Sequence, residues 1–367
     1  MFQSTNEYLE KVTKNKTLLK HNSDNRYLIK FQERDGSISE IYFSVPIRNQ
    51  QTNDIIQAKF TNTDHYYKYS GSNMQLSINN NKIKFNNDKA NPIVTLTDNY
   101  INKRNEKLIY LRSTISPTLN GLLFDISERQ YTLNIYSVLP FDLRINDRFV
   151  AMLGNDGKPF ITISCLGAYS ANNIFMGVSN IKYDRNDQHN LSVTVYHNNP
   201  NTTHFLFEIN MFEEKIFEDT TVESKNPTLN NIYGSLAVVG NSGQYGDQWL
   251  YSKINMTKLN TNNKKMRSLT LFYPQHDKSD NICSAHKLEK SFCSFGSIWN
   301  NKIDLSSVSA QMTAQNGFYY VDVSDMFINK NALPHALAYV IRSKTHGAPL
   351  STGDSYAYPP FMIINYN

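Results

Sequence analysis

Residues 74–85 read MQLSINNNKIKF, and their pattern decides the fold. Apolar residues occupy every second position up to Ile78, three asparagines follow, and Ile83 and Phe85 resume the alternation. Side chains at alternate positions of a strand point to opposite faces, so one face of this segment would be buried and the other solvated. The segment therefore predicts a β-hairpin closed by an asparagine-rich turn.

The same period of two recurs further along the chain. It returns at residues 131–135, 160–163, 191–195 and 205–211. Counting such runs gives about a dozen strands or more. Alternation with one polar face is typical of antiparallel sheets, whereas the strands of a parallel sheet are apolar on both faces. The predicted fold class is therefore all-β, built of antiparallel β-sandwiches.

Length and composition indicate more than one core. The chain has 367 residues, of which 40% are hydrophobic and 12% aromatic, which is enough material for two or three cores. Its 37 basic and 32 acidic residues are interspersed and leave a net charge of +5, so the charge pattern does not favour nucleic-acid binding.

Membrane insertion and Sec-type secretion are not indicated either. No window approaches the roughly 18 consecutive apolar residues of a membrane span. The N-terminus lacks the apolar core of a signal peptide. If the protein acts outside a cell, we therefore expect it to leave by lysis or by assembly into a larger particle.

The first segment, residues 1–25, predicts a short helix and a linker. Ser4 and Glu7 have capping-box spacing, and apolar residues recur at near-helical intervals from Leu9 to Leu19. A helix this short is marginal in isolation, so it needs a surface to pack on. That surface is either the body of the protein or a larger assembly to which the segment docks.

A change of pattern at residues 212–226 predicts a domain junction, because a charged stretch and an Asn-Pro pair interrupt the alternation there. The predicted organisation is a β-rich N-terminal domain over residues 26–215 and a C-terminal domain over residues 216–367. A weaker break near residues 140–158 leaves open whether the N-terminal domain is one unit or two.

The C-terminal part carries a series of sequence landmarks in order. They include an opening Asp with an asparagine-rich loop, a strand of small residues ending in Gly, a Trp neighbourhood and a terminal Pro-containing strand. The seven landmarks lie at 219–231, 235–240, 248–254, 266–273, 297–299, 318–325 and 360–366. In this order and spacing, residues 216–367 resemble the DNRLRE family, which is also classed among carbohydrate-binding modules. Where that family typically keeps Arg and Phe, this chain has Lys253 and Ile254. The resemblance implies a C-terminal jelly-roll sandwich, and the N-terminal part resembles no family.

No constellation in the sequence indicates catalysis. The closest approach to a nucleophile elbow, at residues 240–244, has the wrong spacing. No phosphate-binding glycine loop or zinc motif occurs. His335, His346, Asp354 and Ser355 supply the residue types of a triad, but a strand-loop-strand region gives no reason for them to converge. We therefore predict that the protein is not an enzyme.

The three cysteines, Cys165, Cys283 and Cys293, show no metal-ligand spacing. Two alternatives remain for them, buried free thiols or a disulfide between Cys283 and Cys293. The one cofactor suggested is Ca²⁺, because jelly-roll carbohydrate modules hold a structural calcium ion near their first strand. By that analogy, Glu218 and Asp219 are candidate calcium ligands.

Glycan contact requires exposed aromatic faces that stack on sugar rings and polar side chains that bind hydroxyl groups. Both occur in or beside the C-terminal loops, and the candidate residues are Tyr245, Asp247, Trp249, Trp299, Asp354, Tyr356 and Tyr358. The three tyrosines lie next to or near Gly or Pro in turns and are expected to be exposed. The two tryptophans have an alternative as core residues.

These features suggest a non-catalytic binding and display protein. The leading hypothesis is a receptor-binding component of a phage or tailocin tail, located on the particle outside the cell, which contacts a bacterial surface glycan. Its expected partners are a cell-surface polysaccharide and other tail or surface-assembly proteins, and we expect a homo-oligomer. The alternatives are a structural bacterial surface or spore-coat protein and a polysaccharide depolymerase, which would need paired carboxylates.

Overall fold

A computed structural model shows a chain built almost entirely of antiparallel β-strands. The structure describes residues 15–19, 28–45, 65–68, 74–79, 82–87, 92–97, 109–110, 121–211, 216–259, 265–278, 280–327, 334–355 and 358–366. The chain divides into two compact units. We call residues 1–47 together with 213–367 the terminal unit, and residues 48–212 the inserted unit.

The strands follow one another along the whole chain with little helix between them. The terminal unit begins with β1 (Thr17–Leu18), β2 (Leu28–Gln32) and β3 (Ile38–Phe43). The inserted unit contains β4 (His65–Lys68), β5 (Met74–Asn79), β6 (Lys82–Asn87), β7 (Pro92–Thr97), β8 (Ile109–Tyr110), β9 (Gly121–Ile126), β10 (Gln130–Ser137), β11 (Asp142–Ile145), β12 (Phe149–Leu153), β13 (Pro159–Tyr169), β14 (Phe175–Val178), β15 (Asn180–Arg185), β16 (Asn190–Tyr196) and β17 (His204–Met211).

The terminal unit then resumes. Its remaining strands are β18 (Phe217–Glu223), β19 (Leu236–Ser242), β20 (Gly246–Asn255), β21 (Met266–Pro274), β22 (Cys283–Leu288), β23 (Leu305–Gln311), β24 (Thr313–Gln315), β25 (Phe318–Asp322), β26 (Ala336–Ser343), β27 (Ala348–Ser351) and β28 (Phe361–Tyr366). Helical structure in the described ranges is limited to single turns at Met256–Lys258, Trp299–Asn301 and Ser324–Phe327. None of these has the length or hydropathy to cross a membrane.

Two seven-stranded sheets make up the terminal unit. Sheet A has the order β1-β2-β3-β28-β21-β25-β24, and sheet B the order β23-β22-β26-β20-β19-β27, with β18 also paired to β20. From β18 onward the chain passes back and forth between the two sheets, as in jelly-roll sandwiches. The main core contains side chains from both sheets, for example Leu250 and Tyr339 of sheet B with Leu271 and Met362 of sheet A.

The strands β2 and β3 belong to this C-terminal sandwich. β3 pairs with β28 along its whole length, from Phe43 opposite Phe361 to Ile38 opposite Tyr366. The prediction that residues 26–215 form a β-rich N-terminal domain separate from residues 216–367 is therefore corrected, since residues 28–45 lie in the terminal unit and the inserted unit separates β3 from β18. Alternation shows which side chains share a face, but it does not show which distant strand is the partner.

The predicted helix within residues 1–25 is also corrected where the structure describes it. Thr17 and Leu18 form β1, which pairs antiparallel with β2. Pairing with β2 satisfies backbone groups that a short isolated helix would leave exposed at its ends. Residues 1–14, with the predicted capping box, lie outside the described residues.

The inserted unit is a second sandwich of two seven-stranded sheets. Sheet C has the order β15-β16-β10-β7-β6-β5-β4, and sheet D the order β11-β12-β13-β17-β9-β8, with β14 added to β13. Along β10 the side chains are alternately exposed and buried, and Tyr131 of this strand contacts Phe124 and Phe207 of sheet D. The hairpin predicted from residues 74–85 is confirmed, because β5 pairs with β6.

Candidate functional site

The connection between β22 and β23, residues 289–304, covers the outer face of sheet B, and we call it the cap loop. Successive side chains of a strand point to opposite faces, so Leu250 enters the main core while Trp249 and Tyr251 point outward. Phe292 and Trp299 of the cap loop pack on these outward rings. The result is a small second core on the side of sheet B that faces away from sheet A.

Side-chain hydrogen bonds give the cap loop its shape. Asn301 closes the loop, because its Oδ1 accepts a bond from the Ile298 backbone N–H at 2.8 Å and its Nδ2 donates to the Gly296 carbonyl at 2.9 Å. Asn230 anchors the loop from outside, since its Nδ2 donates to the carbonyls of Ser294 at 3.0 Å and Phe295 at 2.9 Å. The tip of the loop is therefore ordered.

Trp249 and Trp299 meet edge to face, with ring centroids 5.4 Å apart and an interplanar angle of 65°. The Trp249 Nε1–H donates to Asp247 Oδ2 at 3.1 Å. Trp249 is buried, whereas Trp299 is half-buried at the surface. The structure thus brings together three of the predicted site residues, Asp247, Trp249 and Trp299. Trp249 is a core residue, which was the alternative prediction for the tryptophans.

Two cations stand over these rings. The guanidinium carbon of Arg342 lies 4.3 Å from the Trp249 ring centroid, and Lys302 Nζ lies 3.9 Å from that of Trp299. Lys302 Nζ also donates to the Trp299 carbonyl at 3.3 Å. Cation–π contacts of this kind contribute about 0.5–2 kcal/mol each. Among the described residues, no carboxylate forms an ion pair with either cation.

The cap loop also presents an aromatic ring that the sequence analysis missed. Phe295 is 58% exposed, and its ring meets that of Tyr233 edge to face at 6.3 Å. Among the described residues, Phe295 is the most exposed of the large aromatic side chains, ahead of Tyr136 and Tyr183. The available signal was the position of Phe295 between Ser294 and Gly296, in a loop-like stretch of small residues.

The predicted exposure of the turn tyrosines is wrong for the two that can be described. Tyr245 is only 1% exposed and Tyr358 only 6%. The loop of Tyr245 folds inward because its backbone N–H donates to Ser242 Oγ at 3.0 Å, and Tyr358 packs its ring against His276. Tyr356 lies outside the described residues.

Asp354 also lies in the interior, where its backbone N–H donates to Thr352 Oγ1 at 3.3 Å. Asp354 and Ser355 are buried, whereas the side chains of His335 and His346 are exposed. The structure therefore does not group Asp354 with the aromatic residues of the cap loop.

The two predicted calcium ligands point in different directions. On β18, Glu218 lies opposite Lys253 and Asp219 opposite Ser252, so consecutive side chains lie on opposite faces of sheet B. Glu218 pairs with Lys253 at 2.6 Å, and Asp219 Oδ2 accepts a bond from the Gly353 backbone N–H. Within the described residues, no group of three or more His, Cys, Asp or Glu side chains is placed to hold a metal ion.

A polar cleft at one end of sheet A is a second candidate site. It has a volume of about 610 Å³ and is lined by residues that include Lys16, Glu33, Arg34, Asp35, Arg267 and Asn365. Lys16 Nζ pairs with Glu33 Oε1 at 2.5 Å. Positive and negative side chains line the same cleft. It should therefore attract a charged ligand less strongly than Arg342 and Lys302 near the cap loop, with which no carboxylate of the described residues forms an ion pair.

Comparison with known proteins adds no relative to these observations. No protein-family model matches the chain. No curated protein matches it significantly either.

Proposed function

We propose that the protein is a non-catalytic attachment protein whose terminal unit binds a bacterial surface glycan at the cap loop. The observation that carries the proposal is Phe295, which keeps a largely exposed ring on a loop whose backbone Asn230 holds in place. An aromatic face of this kind stacks on the apolar face of a sugar ring. Because the loop is already ordered, binding would lose little conformational entropy.

Polar side chains on the same loop support a saccharide rather than an apolar ligand. Asn300 is exposed in the turn Trp299–Asn301, and Ser297 is half-buried beside it. Amide and hydroxyl groups form hydrogen bonds with sugar hydroxyls in either direction. The partly exposed Trp299 extends the aromatic surface next to these groups.

The proposed setting is a phage or tailocin tail, where the protein would contact the cell while other tail proteins hold it, with a spore or cell surface as the alternative. Antiparallel sandwiches with ordered end loops support a display role. Mass spectrometry of purified particles tests this setting. Recovery of the protein only from the cell envelope would instead favour the alternative.

Binding is tested by applying the full chain to an array of bacterial polysaccharides. We expect the Phe295→Ala variant to lose about two- to tenfold in affinity, since an aromatic stacking contact contributes about 0.5–1.5 kcal/mol. Tyr136→Ala is the matched control, because Tyr136 is a similarly exposed aromatic residue, 47% exposed, in the inserted unit. Equal binding by both variants, or retention of no polysaccharide by the unaltered chain, contradicts the proposal. Turnover of a retained polysaccharide would favour the depolymerase instead.

A further inference from the structure

Near the cap loop, the outer face of sheet B carries two positively charged side chains, Arg342 and Lys302. Their contacts with aromatic rings do not neutralise this charge. Arg342 Nε is buried and has no hydrogen-bond acceptor among the described residues. A buried donor without an acceptor costs about 1–3 kcal/mol. Arg342 as a whole is only half-buried, and a guanidinium held over a ring by a cation–π contact still has N–H donors at its outer nitrogens that can bind an oxyanion.

Lys344 adds to the positive potential at this place, whereas the nearby His286 is uncharged at neutral pH because its pKa is lowered. His286 lies opposite Val340 on the adjacent strand, two residues from Arg342. The pKa of His286 is lowered, first by burial and then by the charges of Arg342 and Lys344. On the other side, Asp247 supplies a carboxylate, but that group already accepts the Trp249 Nε1–H bond. Glu218, which lies on the same face, is paired with Lys253, and no carboxylate of the described residues forms an ion pair with Arg342 or Lys302.

We infer that the glycan is anionic and that Arg342 and Lys302 bind its acidic group. This inference rests on the proposed function, since it names the class of glycan that the cap loop takes. The acidic group is a uronate carboxylate or a phosphodiester, because both present paired oxygen atoms that suit a guanidinium. The two cations flank the tryptophans, so the acidic group would sit beside the aromatic surface that holds the sugar.

Titration calorimetry on the full chain tests the inference with four probes. They are trigalacturonate, its trimethyl ester, a glycerol-phosphate oligomer and a neutral galactose trimer. We expect at least one of the two anionic probes to bind about tenfold more tightly than the uncharged probes, because a charge-assisted hydrogen bond contributes more than a neutral one. The preference should weaken as salt is added, since these cations are partly solvated. The two anionic probes distinguish carboxylate from phosphate.

Two charge-removing substitutions locate the effect. Arg342→Gln and Lys302→Gln should each lower affinity for the preferred anionic probe about tenfold while leaving the neutral probe unchanged. Arg267→Gln is the matched control, because Arg267 is an exposed arginine of the same unit that lies at the polar cleft. Far-ultraviolet circular dichroism reports whether each variant keeps its fold, because both cations contact the tryptophans and their removal would itself change the fluorescence.

The failures can be told apart. Equal affinity for charged and uncharged probes, or Arg342→Gln and Arg267→Gln behaving alike, overturns the anionic ligand while leaving glycan binding intact. Binding of none of the four probes, together with retention of no polysaccharide on the array, overturns both the inference and the proposed function.

Discussion

Tyr42 tests whether β3 is a strand of the terminal unit. Its side chain is fully buried in the main core. Tyr42 nevertheless lies about 170 residues before β18, a separation as long as a typical domain of about 100–200 residues. If β3 instead belonged to a separate N-terminal domain, substitution of Tyr42 would leave the C-terminal sandwich unchanged. The Tyr42→Ala variant distinguishes these arrangements.

The expected loss follows from what Tyr42 contacts. Removing a buried aromatic ring costs about 3–5 kcal/mol. The Tyr42 hydroxyl also donates to Glu40 Oε2 at 2.8 Å, and loss of a donor to this fully buried side chain adds about 1 kcal/mol. Lys30 Nζ remains 2.9 Å from Glu40 Oε1. With a urea slope of about 2 kcal/mol per molar, a total of about 4–6 kcal/mol lowers the unfolding midpoint by about 2–3 M.

Tryptophan fluorescence during urea unfolding measures this shift selectively. The chain has 2 tryptophans, and both Trp249 and Trp299 lie in the terminal unit. Tyr42→Phe should lose only the hydrogen-bond contribution of about 1 kcal/mol. Tyr131→Ala removes a buried tyrosine of the inserted unit and should move the fluorescence midpoint less than Tyr42→Ala does. An unchanged midpoint in Tyr42→Ala refutes the assignment of β3.

Three further outcomes follow from burial and backbone geometry. Alkylation of the folded chain should modify one thiol, the exposed Cys293, and all three after unfolding, since Cys165 and Cys283 are buried and burial raises the pKa of both, that of Cys283 to about 12; mass spectrometry counts the adducts. Burial raises the pKa of Glu218, but the bond and charge of Lys253 together with the hydrogen bonds from Ser294 outweigh it and the net pKa is lowered, so this half-exposed pair stabilises the fold above the ordinary Glu pKa by less than about 1 kcal/mol. Glu218→Gln should therefore be less stable at neutral pH, and the difference should vanish as the pH falls through the lowered pKa. Gly240→Ala should cost about 1–3 kcal/mol in thermal unfolding because the φ angle is +101°, a region that favours glycine.

The strands and their faces were predictable because alternation is a local property. The buried positions of β10 and the hairpin at residues 74–85 both follow from neighbouring residues. The pairing of β3 with β28 depends on residues far apart in sequence, and nothing within residues 28–45 specifies it. Thr17 and Leu18 show the same limit, since pairing with β2 prevails over a weak helical pattern.

The candidate site was predictable in part. Trp249, Asp247 and Trp299 were identified from their residue types, and the structure places them together. Arg342 was not identified, because only the pairing of β20 with β26 brings it over Trp249. Tyr245 was misjudged because proximity to a glycine indicates a turn, but it does not show whether the turn folds toward the core.

The separation of β3 from β28 has a consequence for synthesis in the cell. Ser39 and Asn365, which bond across this pair of strands, are 326 positions apart. At a translation rate of about 5–20 residues per second, the hairpin of β2 and β3 leaves the ribosome roughly 15–65 s before its partner. During that interval Ile41 and Phe43 lack the strand beside which they are buried. Unpaired apolar strands favour aggregation, so the nascent chain should depend on a holding chaperone or on slow, late closure of the sandwich.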